Sequence, residues 1–98
     1  MGGKLQDKIV IITGGGAGFG RGIVEKFVIE GAKVLIWDIH ETSSKELADA
    51  LPKDSSIPFV GDVSKIEDWE RALKVVLDTW GALDVVVNNA GVRRYWKD

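Results

Sequence analysis

Unbroken apolar runs separated by helical periods constrain this chain more than any other feature. Three of them, IVII (9–12), KVLIW (33–37) and DVVV (84–87), show no apolar–polar alternation. A strand with one wet face alternates, whereas a strand covered on both faces does not, and double coverage is the habit of parallel sheets. IPFV (57–60) makes a shorter fourth strand, with Pro58 near its start, where a missing N–H is tolerated.

Between these runs the apolar period lengthens to that of a helix. Residues 18–30 place Ile23 and Phe27 ahead of Gly31, which fits a C-terminal cap. Residues 42–51 carry Leu47, Ala48 and Leu51 before Pro52 stops the run. The third segment, SKIEDWERALKVVLDTWG, opens with Ser64 and Glu67 at capping-box spacing and closes at Gly81. Its Ile66, Trp69, Leu73, Val76 and Trp80 form one apolar face. Trp69 and Trp80 are read as core residues, and Trp96 near the terminus carries no signal. No linker, repeat or low-complexity stretch interrupts the β-α-β-α-β-α-β order. Such alternation predicts an α/β domain spanning 1–98, with a doubly wound parallel sheet of four strands in order 3-2-1-4. Right-handed crossovers put the first two helices on one face and the third on the other.

Composition narrows the partners. The 98 residues carry a net charge of −2, which gives no electrostatic reason to expect nucleic acid or an anionic membrane. Without cysteine there is no disulfide framework and no thiolate zinc site, and His40, the only histidine, has no second imidazole to share a metal. The N-terminus lacks an apolar signal core, and Gln6 stands where a myristoylation signal wants Ser or Thr. The apolar runs are too short to cross a bilayer, so a cytoplasmic location is expected.

Six glycines lie between Thr13 and Ile23, at the junction of the first strand and first helix. Glycine costs backbone entropy, so this density implies that something approaches the backbone closely. The strict dinucleotide fingerprint G-x-G-x-x-G fits no frame: from Gly14 it meets Phe19, and from Gly16 it meets Arg21. The mononucleotide P-loop needs Lys and then Ser or Thr after its last glycine. Arg21 and Gly22 stand there instead, so the magnesium-binding hydroxyl is missing.

The pattern that does fit is T-G-x-x-x-G-x-G, with Thr13, Gly14, Gly18 and Gly20. In this the chain resembles the short-chain dehydrogenase/reductase family, over essentially residues 5–91. The resemblance implies a Rossmann-type turn: glycines allow the tight turn, the approach of a pyrophosphate and close helix–sheet packing. The helix N-terminus after it, including Phe19, offers N–H groups to the phosphates. Asp38 ends the second strand, where a carboxylate can accept from ribose hydroxyls, with Ile39 beside it. GDV (61–63) looks like the family's adenine-contacting pair, Asp62 by its carboxylate and Val63 by its backbone. NNAG (88–91) is similar to the family signature that puts Asn89, Ala90 and Gly91 beside the cofactor while Asn88 holds the central strands. A carboxylate at Asp38 would repel a 2′-phosphate, Ala17 stands where NADP-preferring members often carry a base, and Arg21 is the only nearby cation. NAD(H) is therefore expected over NADP(H).

The family's catalytic Tyr-x-x-x-Lys pair and upstream Ser have no counterpart in these 98 residues. The only tyrosine is Tyr95, and Lys97 stands at the wrong spacing. No catalytic residue is therefore assigned. The primary reading is the NAD(H)-binding half of an oxidoreductase that transfers hydride on a carbonyl or alcohol. Two alternatives stay open: a dinucleotide-binding or interaction module without turnover, and a non-redox catalyst (isomerase or cyclase) using Asp38, His40, Asp62 or Tyr95. DVVVNN (84–89) would be an edge strand with neither Pro nor Lys to discourage pairing, so a homodimer or higher oligomer is expected through that edge or the uncovered face beside it.

Overall fold

The computed structural model describes residues 3–89. The elements alternate as expected: β1 (Ile9–Thr13), α1 (Gly18–Ile29), β2 (Lys33–Asp38), α2 (Glu41–Ala50), β3 (Ser56–Val60), α3 (Ile66–Trp80) and β4 (Val85–Asn88). The strands form one parallel sheet in the order β3-β2-β1-β4. Every residue of β1 is buried, and so is all of β2 after Lys33, which accounts for their unbroken apolar sequences. Pro58 lies in the edge strand β3, where its missing N–H is tolerated.

The pleat sends alternate residues to two cores. Val10, Ile12, Val34 and Ile36 pack under Val24 of α1 and Leu47 of α2. Ile9, Ile11, Leu35, Trp37 and Phe59 pack under Ala72 and Val76 of α3. The first two helices therefore share one face and the third covers the other.

Helix ends are set by glycine at two places. Gly31, at φ 98°, follows α1 and donates its N–H to the Val28 carbonyl. Gly81, at φ 78°, caps α3 and donates to Leu77. Both are left-handed positions where a side chain would be strained. Just ahead of Gly31, Glu30 accepts the Lys4 backbone N–H at 2.9 Å and pairs with Lys26 at 3.2 Å. These contacts hold its carboxyl below the usual glutamate range and tie the N-terminal segment to the end of α1.

Two sequence expectations for α3 are corrected. The capping box does not form: Lys65 is the N-cap residue, with no side-chain cap bond. The Ser64 hydroxyl instead donates to Asp62 Oδ1 at 2.6 Å, alongside the Ser64 N–H at 2.9 Å. A carboxylate two residues upstream outcompetes the cap, because it accepts both Ser64 donors at once. The apolar face is also rotated. Ala72 and Val76 are buried with Trp69, Val75 and Trp80 packed beside them, whereas Ile66 and Leu73 are exposed. Arg71, from one flank of α3, reaches the Val60 carbonyl at the end of β3. Leu73 and Leu77 of α3 remain 41% and 45% exposed, and so does Val86 of β4, at 45%.

Candidate functional site

At the carboxyl ends of β1, β2 and β3 the chain encloses an open pocket of about 290 Å³, lined by Gly14, Trp37, Asp38, Ile39, Gly61, Asp62 and Val63. Five of these are residues singled out in the sequence: Gly14, Asp38, Ile39, Asp62 and Val63. They come from three loops far apart in the chain and meet because parallel strands all end on the same side. In open α/β sheets this is where ligands bind.

The glycine loop is fastened to β2 by its own backbone. Gly15 donates to the Trp37 carbonyl at 3.1 Å, and Gly16 donates to Asp38 Oδ2 at 2.9 Å. A Cβ on Gly16 would come within 2.7 Å of both Asp38 Oδ2 and the Ser43 Cβ, so the loop can rest on the carboxylate only as glycine. Asp38 Oδ1 accepts the His40 N–H at 3.0 Å. Both oxygens of this nearly buried side chain are thus oriented by backbone donors, and the carboxylate still lines the pocket with lone pairs to spare.

With Gly15 and Gly16 committed, the donors left for a ligand are the first amides of α1. That helix begins after Ala17, which makes no side-chain cap bond, and its first turn holds no acidic residue. By contrast, α2 and α3 carry Glu41 and Glu67 with Asp68 in theirs. An N-terminus without a cap or a carboxylate keeps its positive end and its N–H groups for an outside anion. Gly18 takes φ 58°, and a Cβ there would meet nothing within 4 Å. Phe19, next along, is 88% exposed.

Gly20 performs the packing role. A Cβ on it would run into the Gly14 carbonyl oxygen and come within 2.9 Å of Asn89 Nδ2. Asn89 in turn donates to that same Gly14 oxygen at 3.2 Å, which ties the end of β4 to the glycine loop. One residue earlier, Asn88 Oδ1 accepts the Thr13 hydroxyl at 3.0 Å and so links β1 to β4, as expected for it. Ala90 and Gly91 lie outside the described residues, as do Tyr95, Trp96 and Lys97.

Asp62 reaches the pocket wall, but its Oδ1 is turned to Ser64. Gly61, Trp37 and Gly16 are site residues that motif reasoning missed. The Trp37 indole N–H donates to the Gly61 carbonyl at 2.8 Å. A Cβ on Gly61 would press to 2.9 Å from the Phe59 ring. A glycine directly before the acidic residue of GDV was the available signal; nothing local marks Trp37. Arg21, the one cation expected near the loop, pairs with Glu25 at 3.3 Å along the exposed side of α1. Among the described residues, no group of acidic or histidine side chains could hold a metal ion, and no helix is long and apolar enough to cross a membrane.

A model of the short chain dehydrogenase family matches residues 8–97. The cis-2,3-dihydrobiphenyl-2,3-diol dehydrogenase of Rhodococcus globerulus is 39% identical over 92 residues, covering 94% of this chain and 32% of that protein. (+)-Borneol dehydrogenase 2 of Salvia officinalis is also 39% identical, over 91% of this chain and 32% of its own length. A solved 3-ketoacyl-(acyl-carrier-protein) reductase from Brucella melitensis, complexed with NADH, superposes with a TM-score of 0.81 at 32% identity. That match covers 85% of this chain and 34% of the reductase. The chain thus spans about a third of the length of the relatives it matches.

Proposed function

The chain belongs to the short-chain dehydrogenase family, and from its site we propose that it is the NAD(H)-binding portion of an oxidoreductase acting on a carbonyl or alcohol. The observation that carries this reading is the single pocket in which Gly14, Asp38, Ile39, Asp62 and Val63 converge beside an uncapped helix N-terminus. Phosphates would lie against the first amides of α1, the adenosine ribose against Asp38, and the adenine between Asp62 and Val63. Asn89, tied to the Gly14 carbonyl, would lie beside the cofactor, as the family signature implies for Ala90 and Gly91. When bound, such a dinucleotide supplies or accepts the hydride. Asp38 favours NAD(H), since its carboxylate would repel a 2′-phosphate, and Arg21, the cation the sequence puts nearest the loop, is paired with Glu25. The Brucella reductase complexed with NADH supports the cofactor class.

Calorimetry on the 98-residue chain should show NADH binding, and binding more tightly than NADPH. Absence of any NADH binding would overturn the proposal. The same material should not reduce carbonyls with NADH, because its 98 residues contain no Tyr-x-x-x-Lys pair. General acid–base catalysis contributes about 10²–10⁴ in rate. Clear turnover by a sample of the correct intact mass would show that another group supplies the proton.

We also propose that the β4 side is an interface. Val86 of β4 is exposed, as are Ile66, Leu73 and Leu77 of α3, and the outer edge of β4 is unpaired among the described residues. An open strand edge with exposed apolar side chains marks an association site. Sedimentation at micromolar concentration should give a dimer or larger species. A compact monomer with slow amide exchange along 85–88 would mean that the chain covers this edge itself.

A further inference from the structure

Beyond Val60 the chain leaves the sheet, with Gly61 making the last bond to it, its N–H donating to the Asp38 carbonyl at 3.2 Å. Three side chains from the first turns of α3 take over. Asp68 Oδ2 accepts the Asp62 N–H at 2.8 Å, and Asp68 Oδ1 pairs with Arg71 Nη2 at 3.2 Å. The same Arg71 nitrogen donates to the Val60 carbonyl at 3.1 Å, and its guanidinium lies 4.6 Å from the centre of the Phe59 ring. Trp69 Nε1 donates to the Val63 carbonyl at 2.9 Å. Donors and an acceptor on one stretch of helix therefore hold both ends and the middle of the pocket wall.

We infer that Asp68, acting with Arg71, is a positioning residue for the adenine side of the pocket, an assignment that rests on the NAD(H)-binding reading above. Asp68 does not itself line the pocket; it works through the Asp62 backbone. Geometry gives it that role, because its two oxygens serve two different partners. One fixes the peptide N–H of Asp62, which Val63 follows, and the other fixes the arginine that holds the Val60 carbonyl. The N–H of Asp62, and then the Arg71 side chain, hold the Asp68 carboxyl below the usual aspartate range, so the carboxylate is the form present at neutral pH. An asparagine could keep the bond to Asp62 but would turn an amide N–H₂ toward the guanidinium. Trp69 packs against the core as well as donating, so Asp68 and Arg71 are the members that can be changed without opening the core.

The test compares Asp68→Ala and Asp68→Asn with Asp78→Ala, which breaks the Lys74–Asp78 pair on the same helix. Binding of AMP and of inorganic pyrophosphate is measured, together with amide exchange at Asp62 in the free protein and the melting temperature. Asp68→Ala should weaken AMP roughly three- to tenfold, the size of an ordinary hydrogen bond and less than a charge-assisted one, because Asp68 acts on the ligand only through the Asp62 backbone. It should also speed exchange of the Asp62 amide and leave pyrophosphate binding unchanged. Asp68→Asn should do less on each measure, and Asp78→Ala should leave ligand binding and the Asp62 amide as they were. Unaltered exchange at Asp62 in Asp68→Ala would overturn the inference. So would equal weakening of AMP and pyrophosphate with a lowered melting temperature, which marks a general loss of stability. If the parent chain binds neither AMP nor NADH, the adenosine reading falls and the inference with it. The Asp62 amide then still reports whether Asp68 fixes the turn.

Discussion

Gly20→Ala should lower the melting temperature by roughly 10–20 °C, while Gly22→Ala, two residues further along the same helix, should raise it by about 4–8 °C. The contrast follows from what each glycine faces. Gly20 is buried where α1 crosses the end of β1, and a methyl group there meets the Gly14 carbonyl, which is backbone and has little room to move. Overpacking of this kind costs about 1–3 kcal/mol, toward the upper end when the obstacle is main chain. The methyl would also press on Asn89, so the tie from β4 to the loop goes with it. Gly22 has nothing within 4 Å of its would-be Cβ. Alanine there gains about 1 kcal/mol of helix propensity with no clash. NADH binding should be lost in the first variant and kept in the second. Thermal denaturation of the two variants decides the matter; similar melting temperatures would mean that α1 does not approach Gly14 as described.

Asp38→Ala should bring the Kd values for NADH and NADPH closer by roughly ten- to hundredfold, the worth of charge-assisted hydrogen bonds to one carboxylate. Two effects act together. The ribose of NADH loses its acceptor, and the 2′-phosphate of NADPH loses a like charge within a few ångströms. The structure adds a consequence that the sequence alone did not suggest. Asp38 accepts N–H groups from Gly16 and His40, so its removal also takes away one of the two bonds that fasten the glycine loop to β2, leaving that from Gly15 to the Trp37 carbonyl. NADH affinity should therefore fall further than the ribose contact explains, with faster exchange at the Gly16 amide in the free protein. Asp38→Asn separates the two: it removes the charge while its one oxygen can still accept from one of the two amides. Calorimetry with both cofactors, beside amide exchange, reads each effect. Equal affinities for NADH and NADPH in the parent chain would sink the argument from Asp38.

Much of this architecture could be read without coordinates because it depends on local signals. The runs IVII and KVLIW are apolar at consecutive positions, and the sheet buries both of their faces. Gly31 and Gly81 end helices because their positive φ suits no other residue well. The motifs TGGGAGFG, Asp38 and GDV each stand at the carboxyl end of a strand, and parallel strands bring their ends together whatever lies between.

What needed the tertiary structure was every choice among competing partners. Ser64 could cap a helix or donate to Asp62, and the carboxylate prevailed because it accepts both Ser64 donors at once. Helical period made Ile66, Leu73 and Val76 equivalent, yet only Val76 is buried. The roll of α3 on the sheet, with Arg71 reaching Val60 on one flank and the indoles packed beneath, selects among them. Gly20 and Gly22 are the same residue in sequence and differ only in whether the Gly14 carbonyl stands opposite. Asp38 and Asp62, both expected to face a ligand, prove also to hold their own loops. A residue's conformational preference is a property of its neighbours in the chain, and the sequence by itself determines it. Which donor meets which acceptor is a property of neighbours in space, and that is settled only when the elements pack.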